Sequence, residues 1–289
     1  KSLQGRLTNV LYDLQSKTIW FDLPKDQQTR FLSTGGMGNG AIYRTPSKHL
    51  SLHLTDPEFR CVTALRLGHP VPGLSTCKNR THSGRECGAP PSDLHPLSCK
   101  IGGGVSLLHT AVSMFISTAL KHTGALVKRE VPIPEFQQLN TRLPDYDASD
   151  LDPQEVKHSL DAIMDVVAHF PTGEEFLLDA SIRNPLALRY ATAAFSTAGF
   201  AADSGEKDKL ARYPTTQGKS VIPCVVESFG RIGPHFLALI DRTVLLAQAY
   251  QADLAGAARN LKDDLLVDLS ATINKIVAKN YARSAAGAA

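Results

Sequence analysis

Apolar residues recur at helical spacing in LTNVLYDLQSKTIWFDL (7–23) and in PKDQQTRFLS (24–33), where Pro24 suits a first helical turn. The pattern breaks at GGMGNG (35–40). These glycines could cradle a phosphate, but no Gly-Lys-Ser/Thr follows, and a solvated turn between helices is expected. DPEFRCVTALRLG (56–68) reads as a capped helix that stops at Gly68, and a polar, cysteine-rich loop comes next. VSLLHTAVSMFISTALKHTG (105–124) returns to helical spacing, and ALVKREVPI (125–133) is a short strand. Residues 134–158 form a long polar connection. AIMDVVAHF (162–170), the turn PTGE and EFLLDASIR (175–183) predict an antiparallel hairpin. A helix is expected over 186–213, interrupted near Gly199 and Gly205. KSVIPCVVESF (219–229) is a strand apolar on both faces. HFLALIDRTVLLAQAYQADLAGAARNL and VDLSATINKIVAKNYARS are closing helices, before an Ala/Gly tail (285–289) with nothing to bury.

The order from 105 to 229 is therefore α-β-β-β-α-β, an α/β (α+β) arrangement. Four regions follow: helical 1–70, cysteine-rich 71–103, a mixed core over 104–230, and C-terminal helices over 231–289. At 289 residues and 43% hydrophobic content, the chain has enough apolar surface to bury a sizeable core. The net charge of +3 and pI near 8.6 permit a nucleic-acid partner without demanding one. No apolar run approaches the roughly 18 residues of a membrane span. No signal peptide is visible and the first residue is Lys1, so an upstream segment is expected to be missing or removed. Five cysteines is an odd number, and Cys61 and Cys224 sit in apolar stretches. That argues against a disulfide framework and for a reducing, intracellular setting.

CKNRTHSGRECGAPPSDLHPLSC (77–99) concentrates the remaining chemistry. Cys77, Cys87, His95 and Cys99 give C-x9-C-x7-H-x3-C, and thiolate with imidazole is the donor set of a tetrahedral zinc site. The first gap is long for a zinc loop, and His82 competes with Cys77 as a ligand. A surface loop with unpaired thiols is the other reading. Asn79-Arg80-Thr81 matches a glycosylation sequon by chance. Asp165 and Asp179 are acids flanked by apolar strand, which a protein tolerates only with a partner. The residues admit two readings: a metal-binding carboxylate pair, or acids each paired to a base such as Arg183 or Arg189. His109, His122 and His169 read as surface or satisfied histidines. Glu227 with Phe229-Gly230 reads as a strand terminator, the alternative being an acid that approaches the metal cleft, and KIVAKNYARS reads as a solvated helix face, the alternative being a basic face for RNA.

One resemblance joins these pieces. CGAPPSDLHPLSC, then GGG with VSLLHTAVSM, VKREVPI, MDVVAHF, LLDASIRNP, KLARY and VVESFGRIGP follow one another in this order. They resemble the C-terminal region of retrotransposon (non-LTR-type) reverse-transcriptase polyproteins that carry a restriction-like endonuclease. FLSTGGMGNGAIY and DPEFRCVTALRLGHPVP resemble the stretch just upstream of that family's knuckle. The resemblance covers about three quarters of the chain, from Phe31 to Tyr250. It implies a PD-(D/E)xK nuclease-like αβββαβ core with N-terminal helices, a CCHC zinc knuckle and C-terminal helices. Asp165 and Asp179 take the place of the magnesium-binding acids, Glu130 of the upstream glutamate, Lys209 of the helix lysine, and Tyr213 of the closing tyrosine. Cys77, Cys87, His95 and Cys99 take the place of the knuckle ligands. Met164 stands where the family has proline, Ser181 where a standard D-x-K nuclease has lysine, and Arg212 where the family has a second lysine. Pro144-Asp145 is a second literal PD set in a loop. No polymerase part is present.

Two functions are implied. The favoured one is a domesticated, RNA-binding structural component of a larger ribonucleoprotein, such as an organellar ribosome, with protein partners and a mitochondrial or other organellar location. The alternative is an active metal-dependent endonuclease that nicks target DNA by phosphodiester hydrolysis, with magnesium at the acids and a nuclear location.

Overall fold

The structure, a computed structural model, describes residues 3–44, 46–81, 83–92, 94–101, 104–137, 162–250 and 260–286. The N-terminal region breaks where proline and glycine predict. α1 (Leu3–Asp22) and α2 (Lys25–Thr34) meet at Pro24, the N-cap of α2. α3 (Asp56–Leu67) opens with a capping box in which the Thr55 amide donates to Glu58 Oε2 at 2.8 Å. It closes at Gly68 in the left-handed conformation, φ 70°. A short helix α4 (His95–Ser98) precedes α5 (Gly104–Lys121), whose Leu108, Val112, Ile116 and Leu120 form one buried stripe.

Four strands make one mixed sheet: β1 (Leu126–Pro132), β2 (Ile163–His169), β3 (Glu175–Arg183) and β4 (Val221–Glu227), adjacent in that order. β1–β2 and β2–β3 are antiparallel, and β3–β4 is parallel. A parallel step needs a crossover, supplied by α7 (Phe200–Arg212), which packs on both β3 and β4. A short helix α6 (Pro134–Gln137) follows β1; the rest of the expected long connection, Pro144-Asp145 included, lies outside the described residues. Alternation sorts the side chains. Val166, Ala168, Leu178, Ala180, Cys224 and Val226 meet α5, α8 (Pro234–Tyr250) and α9 (Leu261–Ala286). Val167, Leu177 and Val221 meet a smaller core with Phe136 and Tyr213. The result is a mixed α/β fold, a four-stranded sheet flanked by helices, with a Cys/His cluster beside it.

Three expectations are corrected. The helix expected over 186–213 is helical only from Phe200. Residues 188–190 form a 3-10 turn, and Gly199 at φ 79° lets the chain turn into α7 where a side chain would be strained. Gly205 does not interrupt α7; it lets the helix approach Arg183 and Val225 closely. GGMGNG is a turn with Gly35 and Met37 exposed, but it is not solvated throughout, because Asn39 is buried. Asn39 Nδ2 donates to Ser33 O and Phe229 O, both at 2.8 Å, and its Oδ1 accepts from Arg66 at 2.8 Å. KIVAKNYARS is not a solvated face either. Val277, Ala278, Asn280, Tyr281 and Ser284 are buried, and α9 packs against α3, α4 and α5. Ala285 and Ala286 continue α9, and the remaining tail lies outside the described residues. α1 packs on α2 and leaves Leu7, Val10, Leu11, Leu14 and Phe21 exposed.

Two buried glutamates fasten α7. Glu227, at the end of β4, accepts from the Ala201 and Ala202 amides at 3.1 and 3.2 Å, capping the N-terminus of α7. Glu206, within α7, accepts from the His235 and Phe236 amides at 3.0 and 3.3 Å, capping α8. Each carboxylate satisfies amides that have no partner within the helix and meets the positive end of its dipole. Residues 231–233 also cover the outer edge of β4: Glu227 N donates to Arg231 O at 2.7 Å and Gly233 N to Val225 O at 2.8 Å. A side chain at Gly233 would collide with Glu206 Oε1 and press on Val225 O. Gly233→Ala is therefore expected to cost about 2 kcal/mol, read as a lowered denaturant midpoint with an unchanged slope.

Candidate functional site

Register places three acids in one row across the sheet. Arg129↔Val166 and Val131↔Met164 put Glu130 opposite Asp165, and Val166↔Leu178 continues to put Asp165 beside Asp179. The Asp165 and Asp179 carboxyls lie within hydrogen-bonding reach of each other. Lys209, in the last turn of α7, brings its Nζ to 2.7 Å from Asp179 Oδ2, with the two side chains 16% and 6% exposed. Asp165 Oδ2 accepts from the Ala180 amide at 2.6 Å and lies 3.1 Å from His109 Nε2 on α5. Asp165, Asp179 and Lys209 thus come together at the sheet.

The electrostatics split the acids. Burial pushes the Asp165 carboxyl up, but the His109 hydrogen bond and charge, with the Ala180 amide, outweigh it and hold it below the ordinary range. Asp179 goes the other way. Burial raises it, and the pull of Lys209 does not offset burial together with the charge of Asp165. The two carboxyls titrate as one coupled unit. His109 is raised above the ordinary 6.5, chiefly by its hydrogen bond to Asp165.

The other expected site residues are less central. Glu130 shares the row, but its carboxylate is 77% exposed and its ion-pair partner is Arg129, at 3.9 Å. Its φ of 53° is costly for a residue with a side chain, about 1–2 kcal/mol. Tyr213 is buried against Phe136, with ring centroids 5.6 Å apart. Burial and then the charge of Asp179 drive its phenol far above the usual range. Arg212 lies over the Tyr213 ring. Arg183 and Arg189 do not partner the acids; both reach Asp208, at 3.5 and 2.9 Å. Sequence reasoning took His109 for a surface or satisfied histidine and did not foresee that its partner is Asp165. Its signal was a half-polar position beside the buried Leu108 at the start of an otherwise apolar helix.

Cys77, Cys87, His95 and Cys99 gather around α4, which packs on α5, and their ligand atoms all lie within 4.8 Å of one another. Cys77 Sγ and Cys87 Sγ are each 3.9 Å from Cys99 Sγ, and Cys87 Sγ is 3.3 Å from His95 Nε2. These distances are too long for disulfides. They match thiolates around one tetrahedral ion, where metal–sulfur bonds near 2.3 Å put the sulfurs ~3.8 Å apart. The long gap between Cys77 and Cys87 closes because the chain doubles back. Thr81 N donates to Arg85 O, Cys87 N to Asn79 O and Gly88 N to Cys77 O. The four residues could hold a metal such as zinc, and His82 lies outside the described residues. Among the described residues, no helix is long and apolar enough to cross a membrane.

No protein-family model matches the chain, and no curated protein matches it significantly.

The His109–Asp165 contact has a signed consequence. A histidine raised on folding contributes fully below 6.5 and loses that contribution as pH rises through its folded value. Asp165, being lowered, stays ionised throughout that window. The stability difference between the parent chain and His109→Gln is thus expected to be largest below 6.5 and to shrink as pH rises, measured by urea unfolding at a series of pH values. A pH-independent difference would show that His109 is not the partner of Asp165.

Proposed function

We propose that this chain is a nuclease-like, nucleic-acid-associated protein related to the C-terminal region of retrotransposon reverse-transcriptase polyproteins. Its core is of PD-(D/E)xK type, and its work is structural: an RNA-binding component of a larger ribonucleoprotein, such as an organellar ribosome, with a mitochondrial or other organellar location. One observation carries this reading. The acids that a nuclease offers to magnesium are already engaged by the chain itself, Asp179 by Lys209 at 2.7 Å and Asp165 by His109 at 3.1 Å. Magnesium takes oxygen ligands at near-ideal octahedral geometry and keeps several waters. An Asp179 only 4% exposed and already paired offers little room for that shell. The modest charge of +3 also falls short of the dense basic groove expected of a free DNA nuclease. Zinc at Cys77, Cys87, His95 and Cys99 would supply a structural cross-link.

The second reading, an active magnesium-dependent endonuclease of the nucleus, is supported by the convergence of Asp165, Asp179 and Lys209. In it the two aspartates hold magnesium and Lys209 stabilises the charge that develops as the bond breaks.

Incubation with supercoiled plasmid and Mg²⁺ separates the two. The structural reading expects no nicking above background from either the parent chain or Asp165→Ala. Nicking by the parent that Asp165→Ala abolishes would establish the endonuclease instead. Stability gives an independent measure. Lys209→Ala leaves Asp179 buried without its partner, at an expected cost of ~3–5 kcal/mol if the pair is a structural weld. A site kept for chemistry would change little or gain stability when its charges are removed.

A further inference from the structure

The cysteine–histidine segment is bolted to the last turn of α9. Lys78 N donates to Ser284 O at 2.8 Å, and the Ser284 side chain hydrogen-bonds Cys77. Ser284 is 1% exposed. Its carbonyl is among the last of α9, which have no acceptor role left within the helix and need a donor from elsewhere. On the far side of the cluster, Asn79 Nδ2 donates to Cys99 Sγ at 3.4 Å, and Asn79 O accepts from the Cys87 amide at 2.8 Å. One turn back along α9, Asn280 Nδ2 donates to Gly104 O at 2.8 Å, at the start of α5. α4, which carries His95, also packs on α9.

We propose that Asn79 and Ser284 are positioning residues of the metal centre, and that Ser284 makes metal binding and the seating of the C-terminal end of α9 one event. The inference rests on the cluster being a metal site. Without a cation, only weak sulfur contacts 3.9 Å long join Cys77 and Cys87 to Cys99, whereas a bound ion would tie all three to one centre. Opening the cluster moves Cys77 and Lys78, and with them both contacts to Ser284. Because coupling is reciprocal, an unseated α9 must also weaken the metal site. α9 reaches from the cluster to α3, so the metal state is carried from residues 77–99 to the N-terminal helices through one rigid element.

The test uses the full chain, loaded with Zn²⁺ or stripped by a chelator, and follows amide hydrogen exchange. Stripping is expected to speed exchange across residues 276–286 by about tenfold or more while leaving β2 and β3 unchanged. Ser284→Ala is expected to weaken Zn²⁺ binding roughly tenfold, measured by competition with a chromogenic chelator, and to leave the end of α9 less protected even when saturated. Asn79→Ala is expected to weaken binding similarly, yet keep α9 protected at saturation. If the parent chain binds Zn²⁺ and exchange across 276–286 is the same with and without it, the coupling is overturned and the metal site stands. If Co²⁺ substitution gives no thiolate-to-metal absorption band, the metal reading itself fails and this inference falls with it.

Discussion

A carboxylate withdrawn from water has to find donors inside its own chain, and here one helix takes part in the pairing of three of them. Asp179, Glu206 and Glu227 are 4%, 1% and 1% exposed, and α7 meets all three. Its first amides cap onto Glu227, its own Glu206 reaches the first amides of α8, and Lys209 near its end pairs with Asp179. α7 is also the crossover that lets β3 and β4 run parallel. The fastening of the fold and the assembly of the acid site are therefore one set of contacts. Lys209 arrives at Asp179 because the two glutamates fix both the start of α7 and what lies beyond it.

That shared set of contacts explains what sequence alone made visible. The strands and the antiparallel hairpin around Asp165 and Asp179 were legible, because alternation and apolar runs set them locally. The end of α3 at Gly68 was legible for the same reason. Glu227 was read as a strand terminator or an acid near the cleft and not as a helix cap, since its partners, Ala201 and Ala202, lie some 25 residues away and belong to another element. The partner of His109 was not legible, because a histidine on a helix carries no mark of the strand it faces. Asn39 was hidden by its glycine-rich surroundings, although its amide joins Ser33, Phe229 and Arg66 across about 190 residues. Composition is a poor guide to such junctions. A buried amide saturated by main-chain carbonyls looks, in one dimension, like any turn residue.

The cysteine cluster teaches the same lesson from the other side. Its donor types were legible but its first spacing argued against it. Spacing is only a surrogate for closure in space, and a hairpin closes nine residues as surely as two. The bridge between Arg80 and Glu86 and the return bond from Gly88 to Cys77 bring the second thiol back to the first. Of the extra residues, Asn79 turns its side-chain amide to Cys99 Sγ and adds a hydrogen bond, not a ligand.

Charge balance is what ties the acid row to the proposed structural role. Asp165 and Asp179 carry two negative charges when ionised, and Lys209 with protonated His109 returns two positive ones. A cluster that sums to zero exerts little pull on a divalent ion, which must displace a fixed ammonium before it gains a ligand. Glu130 could have tipped the balance, since it shares the row, yet its carboxylate stands in solvent beside Arg129. Deprotonating His109 restores one negative charge, half of what a divalent ion neutralises, and leaves Lys209 in place. On the proposed reading, then, the residues inherited for metal chemistry have become a closed electrostatic weld between sheet and crossover helix.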